Sequence, residues 1–144
     1  MATYQFAATT KKDPLEVLNF FADMTNASGW DPSITAVERL DRGAISTDSA
    51  FRLTIQLGGR SLTLTYRVAV FDPGRRLVLR AKGWWYISED TVTLLASGEG
   101  TTEVRYEARL SGRGPARLLE PLLQRAIQQL GEAAGSKLRA TYFS

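Results

Sequence analysis

The chain reads as one α+β domain: a seven-stranded curved antiparallel sheet wrapped around a long C-terminal helix, with two short helices after the first strand. Three observations predict it. Three successive hairpins keep their apolar residues on one parity, the final run of about 25 residues repeats apolar positions at helical spacing, and no linker, repeat or low-complexity tract interrupts the 144 residues. A single domain spanning 1–144 of this length can bury a substantial core.

The hairpins fix the sheet. At Gly58-Gly59 two glycines suit a two-residue primed turn, so Leu57 faces Arg60, Ile55 faces Leu62, Leu53 faces Leu64 and Phe51 faces Tyr66. Gln56-Ser61 and Thr54-Thr63 then lie on the polar face. Asp72-Pro73-Gly74-Arg75 places proline and glycine where a type II turn needs them, pairing Val70 with Leu77 and Val68 with Leu79. Gly98-Glu99-Gly100 reads as a three-residue loop with Gly100 in the left-handed region, which pairs Leu94 with Val104 and Val92 with Tyr106. A slip of one residue would turn these side chains into water.

Residues 3 to 9 alternate as the first strand. Asp13-Pro14-Leu15-Glu16 then starts a helix, because Asp13 can cap free amides and Pro14 sits where its missing donor costs nothing. That helix should end by Asp23, followed by a brief turn over Met24 to Ser28, and Gly29-Trp30-Asp31-Pro32 leads into a strand near Ile34 to Leu40. Further strands are expected near 48–57, 60–71, 75–82, 87–96 and 101–111, with Lys82-Gly83-Trp84-Trp85-Tyr86-Ile87 open to strand, bulge or rim. Gly112-Arg113-Gly114-Pro115 releases the chain into the last helix, whose Leu119, Leu122, Leu123, Ala126, Ile127, Leu130, Ala133, Ala134 and Leu138 form its apolar series. Gly131 and Gly135 each cost that helix about 1 kcal/mol; close packing, cavity volume or a slight bend would account for them.

Composition narrows the chemistry. Histidine and cysteine are absent, which removes the usual neutral-pH proton carrier, the commonest metal ligands, thiolate chemistry and disulfides. No metal site and no cofactor is expected. Ser88, Ser97 and Ser111 have no triad context, and neither Gly58-Gly59 nor Gly112-Arg113-Gly114 is a phosphate loop. No segment resembles a signal peptide or approaches 18 apolar residues, so a cytoplasmic protein without an integral membrane segment is expected. The net charge of +3 is spread among acids, as in Glu103, Arg105, Glu107 and Arg109, and does not point to nucleic acid. Arg113, Arg117, Arg125, Lys137 and Arg139 on the last helix read as ordinary basic surface, with contact to anionic lipid as the alternative.

The order of strand, two short helices, six strands and long helix resembles the START-like or SRPBCC superfamily, the helix-grip fold, and within it a bacterial polyketide cyclase/dehydrase-like member. The resemblance spans nearly the whole chain. It is carried by Phe20-Phe21-Ala22-Asp23 leading to Gly29-Trp30-Asp31-Pro32, by Gly98-Glu99-Gly100-Thr101-Thr102, and by the entry from Gly112 to Leu122. It implies a hydrophobic ligand held between sheet and helix, but the superfamily includes carriers, receptors and aromatase/cyclases, so the site must decide.

The inward parity supplies Phe51, Tyr66 and Tyr106 as ligand-facing rings, with Trp30, Trp84, Trp85 and Tyr86 at a pocket mouth. Each has a structural alternative: a core tyrosine bonded internally, or Trp30 as a lid anchoring the short helices. Trp84 and Trp85 should point oppositely if extended. Asp90 shares parity with Val92 and Leu94 and is the weak catalytic candidate, although the open start of its strand favours a solvated carboxylate. The first functional expectation is therefore a binder of a lipid, isoprenoid or aromatic polyketide. The alternatives are a polyketide cyclase or dehydratase, and a protein-interaction module using the Trp84-Trp85 region; oligomeric state is open.

Overall fold

The computed structural model describes residues 1–57 and 59–143. Strand β1 (Ala2–Thr10) is followed by helix α1 (Pro14–Ala22), a 3-10 turn (Met24–Gly29), and strands β2 (Ile34–Arg39), β3 (Ala50–Leu57), β4 (Arg60–Asp72), β5 (Arg76–Lys82), β6 (Tyr86–Ala96) and β7 (Thr102–Gly112). A second 3-10 segment (Gly114–Leu119) leads into helix α2 (Glu120–Ala140). The sheet is antiparallel throughout, in the order β1-β7-β6-β5-β4-β3-β2.

The expected registers of β3 with β4 and of β6 with β7 are those observed, including Leu53 with Leu64, Phe51 with Tyr66, Val92 with Tyr106 and Leu94 with Val104. The primed turn expected at Gly58-Gly59 includes Gly58, outside the described residues. Between β4 and β5 the expectation needs correction. Asp72 pairs with Arg76, Val70 with Val78 and Phe71 with Leu77, and a bulge between Val68 and Val70 then restores Val68 to Leu79. The Arg75 amide does donate to the Asp72 carbonyl at 3.0 Å, with Gly74 at φ 74°. The strands leave that turn one residue out of step, and the bulge absorbs the extra residue.

The last helix is also shorter than its apolar series. Proline at 121 lacks an amide donor and is accommodated only in a first helical turn, so α2 begins at Glu120 and the preceding six residues take the 3-10 form. Asp13 Oδ1 caps α1 by accepting from the Leu15 amide at 3.0 Å, and Asp23 ends that helix and starts the next turn.

The core lies on the concave face, where Val17, Leu18 and Phe21 of α1 and Ala134 and Leu138 of α2 join the inward residues of the strands. Leu53, Leu64, Leu79 and Leu94 are all buried there. On the outer face the charged residues pair across and along strands, as in Arg80 with Glu89 and Arg109 with Glu107. Gly131 and Gly135 are explained by close packing. A Cβ at Gly131 would lie 2.2 Å from Tyr4 Cγ, and one at Gly135 would lie 2.7 Å from Tyr4 Oη and 2.8 Å from Phe6 Cδ2. Beyond α2, Tyr142 stacks on Phe20 with ring centroids 3.7 Å apart, and Phe143 stacks on Phe6.

Candidate functional site

Between the concave face and α2 lies a cavity of about 140 Å³. Its walls follow from strand parity: Leu53 and Ile55 of β3, Leu62 and Leu64 of β4, Leu79 of β5, and Val92 of β6 present aliphatic surface. Phe21, Met24, Ala27, Trp30 and Ile34 close one side, and Ile127, Leu130, Gly131, Ala134, Gly135 and Leu138 of α2 form the roof. Trp85, Ala108 and Leu110 complete the apolar lining.

Polar groups interrupt this wall in three places. Tyr66 Oη and Ser88 Oγ lie 2.6 Å apart, joining β4 to β6 in the interior. Tyr106 Oη donates to Asp90 Oδ2 at 2.9 Å. Asp31 Oδ1 accepts from the Ser33 hydroxyl at 2.7 Å and from the Ser33 amide at 2.9 Å. The two carboxylates border the cavity together with Tyr4, Tyr86 and both paired tyrosines, and the lining contains no lysine or arginine.

That arrangement shapes the electrostatics. Asp90 pairs with Leu79 on one side and Ala108 on the other. Removal from bulk water raises its carboxyl to about 7; the Tyr106 hydroxyl opposes the rise and the charges of Asp31 and Glu89 add to it. Burial likewise raises Asp31, against the stabilising bonds from Ser33. Tyr66 and Tyr106 are pushed well above the ordinary tyrosine range, first by burial and then by the Asp90 charge, so both remain hydroxyls. Asp90, expected in water at an open strand start, is half-buried: β6 begins at Tyr86, and Asp90 lies between two neighbouring strands and borders the cavity.

The other candidate residues divide. Trp30, Tyr66, Tyr86 and Tyr106 border the cavity together with Asp90, whereas Phe51 is fully enclosed in the core and does not border it. Gly83 N–H bonds to the Tyr86 carbonyl at 3.0 Å, and this tight turn sends the two tryptophans apart. Trp85 contributes to the wall, while Trp84 is 87% exposed. Asp31, Ser33, Ser88 and Tyr4 were missed as site residues. Asp31 adjoins Trp30 in Gly29-Trp30-Asp31-Pro32, and Ser88 shares parity with Asp90; those were the available signals.

Among the described residues no group of three acidic side chains is placed to hold a metal ion, and no helix is long and apolar enough to cross a membrane. The chemistry on offer is apolar enclosure, hydrogen bonding by two tyrosines and a serine, and proton exchange at one carboxyl that titrates near neutrality.

Comparison with known proteins agrees with this architecture. A START superfamily protein from Mycobacterium smegmatis superimposes with a TM-score of 0.75 at 12% identity, covering 97% of this chain and 96% of that one. The Zhui aromatase/cyclase from Streptomyces sp. R1128 gives 0.76 at 15% identity, covering 96% and 91%. One part of the di-domain aromatase/cyclase BexL, from the BE-7585A biosynthetic pathway, gives 0.71 at 16% identity, covering 99% of this chain and 46% of that one. No curated protein sequence matches the chain. The family model described as polyketide cyclase / dehydrase and lipid transport matches residues 1–142, and the chain belongs to that family, with the START-like helix-grip fold.

Proposed function

We propose that this protein binds a small, predominantly apolar molecule bearing a carbonyl or hydroxyl group, enclosed between the sheet and α2. One observation carries the reading: an aliphatic and aromatic cavity whose wall is broken by a few hydrogen-bonded polar groups, with the Tyr66-Ser88 pair buried and the Tyr106-Asp90 pair half-buried. Such a wall holds the body of a ligand by burial and orients it through Tyr66, Ser88 and Tyr106. Trp30 and Tyr86 add aromatic contact. Two carboxylates with no cation among the lining residues disfavour an anionic ligand such as a free fatty acid, since its charge would meet like charge in a poorly solvated space.

Volume sharpens the choice. An apolar cavity of about 150 Å³ encloses benzene, so about 140 Å³ suits a ring-sized or short branched ligand. Pockets for larger, drug-sized molecules run to about 300–1,000 Å³. A lipid, isoprenoid or aromatic polyketide would extend beyond this volume.

The catalytic alternative rests on Asp90. A carboxyl near 7 that accepts from Tyr106 and faces the cavity is matched to proton transfer in cyclisation or dehydration of a poly-beta-keto chain. Asp90→Asn should then preserve the fold and suppress turnover of such a substrate; undiminished turnover removes the acid/base role.

Native mass spectrometry of protein purified from its own host tests the binding reading. A retained apolar small molecule is expected. Protein that carries nothing, and whose melting temperature does not respond to saturating toluene or indole, would overturn it.

A further inference from the structure

Outside the cavity the molecule carries one apolar surface that its own packing does not explain. Leu118 is 85% exposed, Leu122 66% and Leu119 49%, all within the 3-10 segment and the first turn of α2. The turn bearing Trp84 is tied to the same place. Arg113 N–H donates to the Trp85 carbonyl at 2.7 Å, and Arg113 Nη1 donates to the Gly83 carbonyl at 2.9 Å. A nearly bare tryptophan and three leucines therefore occupy neighbouring segments. Single exposed leucines need no explanation, but Leu118, Leu119 and Leu122 exposed within one short stretch do.

Basic residues predominate around it. Arg113, Arg117 and Arg125 are exposed around the leucines, and none forms an ion pair among the described residues. The nearby acid, Glu120, is engaged by the Met1 ammonium and the Gly112 amide. Leucine and tryptophan flanked by exposed arginines in excess of acid is the composition of a segment that rests in a membrane interface and meets anionic headgroups.

We infer that this face docks the protein peripherally on an anionic lipid surface, with Leu118, Leu122 and Trp84 entering the acyl boundary and Arg117 and Arg125 meeting the headgroups. A second copy of the chain fits less well, because a two-fold contact would set the arginines of one copy against those of the other. The inference does not rest on the cavity ligand and would survive a dry cavity.

Flotation of the full chain with vesicles tests it, comparing phosphatidylcholine alone with phosphatidylcholine containing about one third phosphatidylglycerol. Binding to the anionic vesicles is expected, weakening as salt rises. Arg117→Gln with Arg125→Gln should reduce it roughly 30-fold, from about fivefold for each charge lost at the surface. Leu118→Ser with Leu122→Ser should reduce it by about tenfold or more, and unchanged near-ultraviolet circular dichroism would establish that these exposed substitutions leave the fold intact. No binding to anionic vesicles, binding indifferent to both double variants, or a patch-dependent dimer in sedimentation that persists when lipid is added would each overturn the proposal.

Discussion

From Gly131 to Leu138, α2 is pressed onto the sheet. Tyr4 and Phe6 of β1 occupy the space that side chains at 131 and 135 would take, Leu138 is fully buried, and Tyr142 and Phe143 lock the helix end against Phe20, Phe21 and Phe6. From Glu120 to Leu130 the same helix is held differently. Leu123 alone is buried in this part, Ile127 and Leu130 roof the cavity, and Leu122 stands in solvent. The contrast teaches that this helix is fixed at its C-terminal turns and more loosely seated at its start. Small residues let its backbone approach β1 where the structure must hold, and that same stretch, with Ile127 and Leu130, also borders the cavity.

If the C-terminal turns are the anchor, damage there should be costly. Leu138→Ala should lower unfolding free energy by about 2–5 kcal/mol in urea titration; a loss under 1 kcal/mol would mean that the two ends do not differ in this way. The cavity between them supplies the next test. Asp90 is near 7 in the folded protein against an ordinary 3.8, so the unfolded chain ionises first as pH rises and stability falls between about pH 4 and 7. The full difference corresponds to at most about 4 kcal/mol, and water reaching the cavity reduces it. Asp90→Asn should therefore match the parent near pH 4 and exceed it by about 2 kcal/mol at pH 8, with a flatter pH profile. A parallel pair of curves would show that Asp90 is ionised and solvated in the folded state.

Gly131→Ala sets two effects against each other. Alanine is the better helix former by about 1 kcal/mol, yet its methyl would meet the Tyr4 ring at 2.2 Å and force repacking worth about 1–3 kcal/mol. A net loss on the order of 1 kcal/mol is expected by thermal or urea unfolding, whereas a gain would show that β1 yields easily. Smallest of all, Leu122→Ser should change stability by no more than about 0.5 kcal/mol, because that side chain is two-thirds exposed. A larger loss would move the anchor toward the helix start.

Much of the sheet could be read before any coordinates. Parity and turn chemistry locate Leu53 against Leu64 and Val92 against Tyr106, because a one-residue slip would invert a whole face. The β4-β5 bulge escaped that logic, since pairing across a turn is inferred by counting outward and a single extra residue leaves no mark in the alternation. The site was legible in part. Tyr66, Tyr106 and the inward parity of Asp90 came from the strands, whereas Asp31 and Ser33 lie in the irregular stretch before β2, where no periodicity says which way a side chain points.

The division between Phe51 and Tyr66 shows the same limit in regular structure. They face each other across the ladder on the inward parity, yet one lies wholly in filled core and the other borders the cavity. Alternation, capping residues and turn glycines by themselves determined the order of elements and the inward face, because each acts through local backbone geometry; the start of α2 at Glu120 departed from the helix entry expected after Pro115. How far the helix stands from the sheet, and therefore whether a space exists and which leucines remain outside, was decided only when distant segments packed. These outcomes depend on sheet curvature and on side chains more than 100 positions apart, such as Tyr4 against Gly131, which no local pattern encodes.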